Sequence, residues 1–360
     1  MTSPSTEARN TSYRLFLTAA ALMVIIASLR AAADLLVPFL LATFIAVITT
    51  PVLRWLQRRG LPMWLAMLLV VVAMVGSFTL VGALVGSSIT DFTRSLPQYK
   101  ARLGGEMQSA FALLNSYGIE TPTALLREHV NPGAAMEMVG KVFNGLGNVL
   151  TNAFLIVLTV IFILAETHSF PNKLKSAFTD ADHHLVQFQL FSHTLQKYMV
   201  IKTSISLLTG LCATILTWAI GIDYPLLWGL LAFLFNYIPN IGSIIAAVPA
   251  VLLAFVQLGG LPALGTAIGY VVINVVMGNM IEPRYMGKGL GLSTLVVFLS
   301  LVFWGWVFGP VGMLLSVPLT MFVKIALSSS DNTRWLAVLM DSEGAHSSNA
   351  PAPDETQEET

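Results

Sequence analysis

From Tyr224 to Ile281 the chain runs fifty-eight residues without one Asp, Glu, Lys or Arg. A charged side chain at the centre of a bilayer costs roughly 3 kcal/mol even on the lenient insertion scale, so a charge-free run of this length reads as membrane. It exceeds one crossing, because about 20 apolar residues span the hydrocarbon. Two breaks divide it, Asn236-Tyr237-Ile238-Pro239-Asn240-Ile241-Gly242-Ser243 and Leu258-Gly259-Gly260-Leu261-Pro262. Polar, proline-bearing backbone at membrane depth must be buried in protein or line a wet cavity, since lipid satisfies no hydrogen bond. Broken helices of this kind are where transporters hold their cargo.

The rest of the composition agrees. With 55% hydrophobic and 11% charged residues the chain is an all-α polytopic membrane protein in contact with lipid. A formal net charge of zero argues against nucleic acid as a partner, because phosphate recognition needs clustered Lys and Arg. The single cysteine, Cys212, permits no intrachain disulfide and no Cys-rich metal site. Met1 to Ser12 is polar and no Ala-x-Ala-like cleavage site follows, so the first apolar run is an uncleaved span.

Taken in order, Leu15 to Leu29 and Leu35 to Leu53 form a helical hairpin with a tight connection at Arg30 and Asp34. Arg54, Arg58 and Arg59 then place a short loop, and with it the N-terminus, in the cytoplasm by the positive-inside rule. Leu61 to Ser87 is the third span and closes an N-terminal block, residues 1–90. Residues 91–141 carry apolar positions at amphipathic spacing (Met107, Phe111, Leu114, Leu125, Leu126) and read as an external helical element or a loop on the membrane surface. Residues 142–202 supply a fourth span, Val142 to Ala165, and a cytoplasmic interfacial helix that runs into the next span after Lys202. That helix contains His168, His183, His184 and His193, but adjacent histidines point to different helix faces and no acidic residue stands at the spacing of a helical zinc site, so no metal is expected. Thr203 to Ile222 is the fifth span.

Residues 203–327 form the transport core and contain a weak internal repeat. The first break, with Pro239 and Gly242, is followed by Ala247-Val248-Pro249-Ala250; a second break, Trp304-Gly305-Trp306-Val307-Phe308-Gly309-Pro310-Val311-Gly312, is followed by Ser316-Val317-Pro318-Leu319. If every piece crosses, there are eight spans and Arg284 and Lys288 emerge outside. If each broken run enters and leaves by one face, about six full crossings and two re-entrant hairpins result, and the basic residues stay in the cytoplasm with the C-terminus. The second arrangement makes the two hairpins an inverted repeat whose tips meet near the midplane. Residues 328–360 end in an acidic, low-complexity tail expected to be disordered.

Three segments carry a family resemblance: Asn236 to Ser243; Gly278-Asn279-Met280-Ile281-Glu282-Pro283-Arg284-Tyr285-Met286-Gly287; and Gly291 to Leu301 with Phe303-Trp304-Gly305-Trp306. Together they resemble the autoinducer-2 exporter family of permeases, with likeness from about Leu15 to Leu327. The resemblance implies a transporter of the bacterial inner membrane, assembled as a homopentamer, that moves autoinducer-2 or another small polar solute without a cofactor. Sodium/proton antiport is the alternative within the same family, and a passive pentameric channel is a second.

The candidate pathway residues are Asn236, Tyr237, Pro239, Asn240, Gly242 and Ser243 at the first break and Trp304, Trp306, Gly309, Pro310 and Gly312 at the second. The amides and the serine either bind solute or satisfy the broken backbone; the tryptophans either line a pathway or form an interfacial belt. Glu282 and Arg284 are either a gate or an exposed helix-end pair. Asn274 and Asn279 either face the hairpins or bond across packed helices. No intramembrane ion pair is legible that would name a coupling ion. An intramembrane protease would need a paired Asp, a His-Glu-x-x-His helix or a Ser/His dyad within the spans; none is present, so no catalytic residue is assigned.

Overall fold

The computed structural model describes residues 4–116, 151–167, 173, 181–239, 241–286, 291–328 and 333–341. Among them all regular structure is helical. Five helices are long and apolar enough to cross a membrane, and shorter apolar helices lie between them, as a polytopic all-α protein requires. Asn240, His168, Lys288, Leu125, Leu126, the start of the fourth span at Val142 and the acidic tail lie outside the described residues.

The chain divides into two units, Met1–Leu185 with Val302–Leu314, and Val186–Leu301 with Leu315–Thr360. In the first, α1 (Pro4–Ala31) and α2 (Ala33–Arg58) are linked by Ala32 alone, at φ −92° and ψ 9°. The Ala32 amide donates to Ser28 O and the Leu36 amide to Ala32 O, so the helical ladder runs into and out of the link. The link is a one-residue bend, the tight connection expected around Arg30 and Asp34. α3 (Met63–Ser116) continues past Ser87 as one helix, carrying Met107, Phe111 and Leu114 on the same rod as the third span. α4 is Ala153–Glu166. The unit's core comes from residues four apart on three helices: Ala42 and Ala46 of α2, Ala66, Val70 and Met74 of α3, and Ile156, Val160 and Leu164 of α4. Small residues at such positions let backbones approach closely, the main source of packing energy in lipid.

The second unit is built on α5, Ala181–Ile220, one continuous helix of 40 residues. It runs straight through the boundary expected at Lys202, because nothing in Leu195 to Leu208 breaks a helix. α6 (Pro225–Phe235) docks on it by glycine: a Cβ at Gly229 would stand 1.8 Å from Thr214 Oγ1 and 2.7 Å from Gly210 O. α8 (Gly260–Asn274) docks by Gly269, whose Cβ would stand 2.5 Å from Leu216 Cδ2. Between them lies α7 (Gly242–Leu258), and a π-helix (Val275–Ile281) prolongs α8 into the short α9 (Glu282–Met286).

α6 and α7 fold back on each other. At their open end Gln257 Oε1 accepts from the Asp223 amide at 3.0 Å, and Gln257 Nε2 donates to Gly221 O at 3.4 Å. At their closed end the tip reaches Thr203 and Ser206, roughly 20–25 Å back along α5 at 1.5 Å per residue. With 11 residues, α6 covers only about 16 Å, half of the hydrocarbon thickness.

α10 (Thr294–Leu314) is folded at Gly309, φ 66° and ψ −150°, and α11 (Ser316–Ser328) follows. Those dihedrals belong to a region that glycine alone visits readily. Beyond α11, in the second unit, Lys324 bonds Gly291 O and Asp341, and the Ser293 amide donates to Met340 O at 2.9 Å, which holds the start of α10 against the end of α12 (Arg334–Leu339).

Candidate functional site: the first helical break

A polar seam runs along α5. Tyr198, Lys202, Ser206 and Thr209 recur at helical spacing and are all buried, so they share the face that α6, α8 and the π-helix cover. Lys202 and Ser206 meet partners, and Thr209 lines a cavity. Asn236 Nδ2 donates to Ser206 Oγ at 2.9 Å, and the Tyr237 hydroxyl donates to Thr203 Oγ1 at 2.7 Å. The tip that holds Pro239 is thereby tied to α5 through side chains.

Behind these bonds is a small cavity, with room for about one water molecule. Thr209 and Ala213 of α5, Ala232 and Asn236 at the end of α6, Ser243 and Ala246 of α7, and Tyr270, Ile273 and Asn274 of α8 line it. Three residues singled out in the sequence, Asn236, Ser243 and Asn274, therefore converge from different helices on one space. Gly242 closes the corner: a Cβ there would stand 1.8 Å from Phe235 O. Asn279 is exposed on the π-helix and does not reach the cavity.

Glu282 follows the π-helix, and its partner is Lys202, Nζ to Oε1 at 2.6 Å, with side-chain exposures of 18% and 6%. The expected pairing with Arg284 is thus corrected: Arg284 is exposed, one helical step further on. Lys202 and Glu282 both stand on helices long and apolar enough to cross a membrane. Lys202 was assigned to a cytoplasmic interfacial helix running into the next span; α5 is one helix there, and Lys202 is buried on it. The spacing of Tyr198, Lys202 and Ser206 was the available signal, since four-residue steps place all three on one stripe. The π-helix wraps with i→i+5 bonds, a geometry frequent at functional sites, and it joins cavity-lining Asn274 directly to Glu282.

The second break is described within the first unit. Trp304 is buried, stacked on Phe308 (centroids 5.6 Å apart, planes 7°) and edge-on to Phe303 (5.0 Å, 73°). Trp306 is half-exposed with the Arg30 guanidinium 4.5 Å above its ring, a cation–π contact. Gly312 sits with its Cβ position 2.0 Å from Trp304 O, while Gly309 makes the reversal and Pro310 is exposed after it.

Comparison with known proteins gives one consistent answer. The profile described as AI-2E family transporter matches residues 15–331. The AI-2 transport protein TqsA of Escherichia coli is 42% identical over 319 residues, 89% of this chain and 93% of that protein. A protein of Haemophilus influenzae named only as a transport protein is 43% identical over 336 residues, 91% of this chain and 96% of its own. The transport protein YhhT of Escherichia coli is 34% identical over 330 residues, 92% and 95% of the two chains.

Proposed function

The chain belongs to the AI-2E family of transporters, and from that premise we propose that it exports a small polar signalling molecule, autoinducer-2 first among candidates, by alternating access at the first helical break. One observation carries this reading: Asn236, Ser243 and Asn274 meet around a single cavity at the point where the helix is interrupted. Amides and a hydroxyl in a desolvated pocket are the groups that recognise a sugar-like solute. The tip is held closed by two side-chain hydrogen bonds, to Ser206 and Thr203, each worth about 1 kcal/mol. A solute that offers Asn236 a replacement partner offsets that loss, so binding and tip release are linked.

The topology follows the same reading. The open end of the α6–α7 pair lies at the C-terminal end of α5, and Glu282 lies about 27 Å back along that helix, beside Lys202. This supports a re-entrant hairpin entering from outside, with the helix from Gly260 crossing to a cytoplasmic Arg284. The bacterial inner membrane and a homopentameric assembly complete the proposal. The buried Lys202–Glu282 pair favours ion-coupled antiport as the second reading, because a charge pair in a span is a place where a cation or proton can act.

The test is accumulation of labelled autoinducer-2 in sealed vesicles containing the purified protein, with and without sodium and proton gradients. Saturable, exchanging uptake is expected. Non-saturating flux would point to a passive channel, and gradient-driven ion movement without autoinducer-2 uptake would favour antiport.

A further inference from the structure

The end of α2 carries a group of cations that the transport reading leaves unused. Between Asp34 and Asp91 the sequence holds no acidic residue, and its only basic ones are Arg54, Arg58 and Arg59. All three are exposed, and none has a carboxylate partner among the described residues, whereas Lys173, Lys202 and Lys324 each have one. Four-residue spacing stacks Arg58 on Arg54 and Arg59 on Trp55, two pairs on neighbouring faces of one helix. The Arg59 guanidinium lies 4.8 Å from the centre of the Trp55 ring, a cation–π contact that holds an otherwise free side chain in place. Like charges at the spacing of Arg54 and Arg58 destabilise a helix. The helix dipole compensates a cation in the last turn but reaches Arg54, a turn deeper, less well. An anion lying across the pair reverses the sign of that contribution.

The surroundings of the arginines select the kind of anion. Both α2 and α3 are long and apolar enough to cross a bilayer, and the elbow between them is where they leave it. Gln57 Nε2 donates to Met63 Sδ, so the start of α3 stands level with the last turn of α2. Trp64, 69% exposed, lies at that level with Trp55, 53% exposed. Exposed indoles concentrate at the depth of lipid headgroups, where the ring meets acyl chain and the N–H meets water or ester oxygen. Val52 and Leu68 continue the exposed surface as apolar side chains from there into the membrane. A soluble anion has no use for that apolar continuation; a phospholipid fills both parts. We propose that the end of α2 binds the headgroup of an anionic phospholipid, its phosphate held by the guanidinium forks of Arg54 and Arg58 and its charge met by Arg59. A zwitterionic headgroup brings an ammonium of its own among three guanidinium charges, so the site selects lipid of net negative charge. Leu53, between the indole and the arginines of this turn, belongs to the core that α2 forms with α3 and α4. A lipid seated here therefore binds the folded first unit and raises its stability.

The experiment takes the full chain in neutral detergent and adds phosphatidylglycerol or phosphatidylcholine, reading lipid retention by native mass spectrometry and the thermal unfolding temperature. The parent is expected to retain phosphatidylglycerol in preference to phosphatidylcholine and to unfold at a higher temperature with it. Arg54→Gln with Arg58→Gln leaves Arg59 to orient the loop. That variant is expected to unfold like the parent in phosphatidylcholine and to hold phosphatidylglycerol about thirty-fold more weakly, about five-fold for each arginine. Should it fail to assemble, Arg54→Lys with Arg58→Lys, which keeps both charges and loses the forks, is expected to hold phosphatidylglycerol less tightly than the parent. A parent that retains the two lipids equally overturns the proposal, and so does parental retention of phosphatidylglycerol in whichever variant assembles. Glycerol 3-phosphate is expected to leave the unfolding temperature unchanged; a rise equal to that given by phosphatidylglycerol would assign the arginines to a soluble phosphate and overturn the lipid site.

Discussion

The two interrupted helices reverse the chain in the same way and then differ in chemistry. In the first, a Cβ at Gly242 would meet Phe235 O at 1.8 Å and Ile238 Cβ at 3.1 Å; in the second, a Cβ at Gly312 would meet Trp304 O at 2.0 Å and Phe308 Cβ at 2.9 Å. In both, a glycine seats the outgoing helix against a backbone carbonyl of the incoming one. The first tip then bonds Ser206 and Thr203 through an amide and a phenol and adjoins a small cavity. The second is packed by rings, with Trp304 on Phe308 and Trp306 under Arg30. What repeats is a backbone reversal, which glycine and proline encode; recognition chemistry is written on one copy.

The largest effect expected concerns the charge pair in the unit that holds the first break. Lys202→Met leaves Glu282 without its counter-charge in a buried setting and should lower stability by about 3–5 kcal/mol, read by thermal unfolding in detergent. The exchange Lys202→Glu with Glu282→Lys should recover most of it. Lys324→Met, whose pair with Asp341 is part-buried on both sides at 18% and 20% exposure, should lose less. Equal losses at the two lysines would mean that Lys202 is no more buried than Lys324.

Next come the glycines. Gly242→Ala and Gly312→Ala each drive a methyl into a backbone carbonyl and should each destabilise by about 1–3 kcal/mol. A harmless Gly312→Ala beside a damaging Gly242→Ala would break the comparison at its structural half. Smaller still is Tyr237→Phe, which removes the bond to Thr203 and should cost about 1 kcal/mol. If the tip is the moving part, that variant should also open more often, detected as faster labelling of a cysteine placed at Ile241 in a Cys212→Ala background.

Much of this was legible from residue order. The charge-free run and the break at Asn236 to Ser243 follow from membrane energetics and from where proline and glycine interrupt apolar sequence, whereas Asn274 was left open and only the fold sets it beside Asn236 and Ser243. Lys202 was not legible, because one lysine at the edge of an apolar run has the same local sequence whether its helix ends there or continues, and only the partner eighty residues on decides. The pairing of Glu282 failed for the same reason: Arg284 is near in sequence, yet the helix turns it to the exposed side.

The central claim is that solute recognition resides at the first break. Autoinducer-2 uptake by sealed vesicles, compared between Asn236→Ala and Trp306→Phe, tests it most directly. Asn236→Ala should lose only about 0.6 kcal/mol of stability while its KM rises about five-fold to a hundred-fold, and Trp306→Phe should keep the parental KM. A parental KM in Asn236→Ala together with a raised KM in Trp306→Phe would contradict the account and move recognition to the aromatic tip.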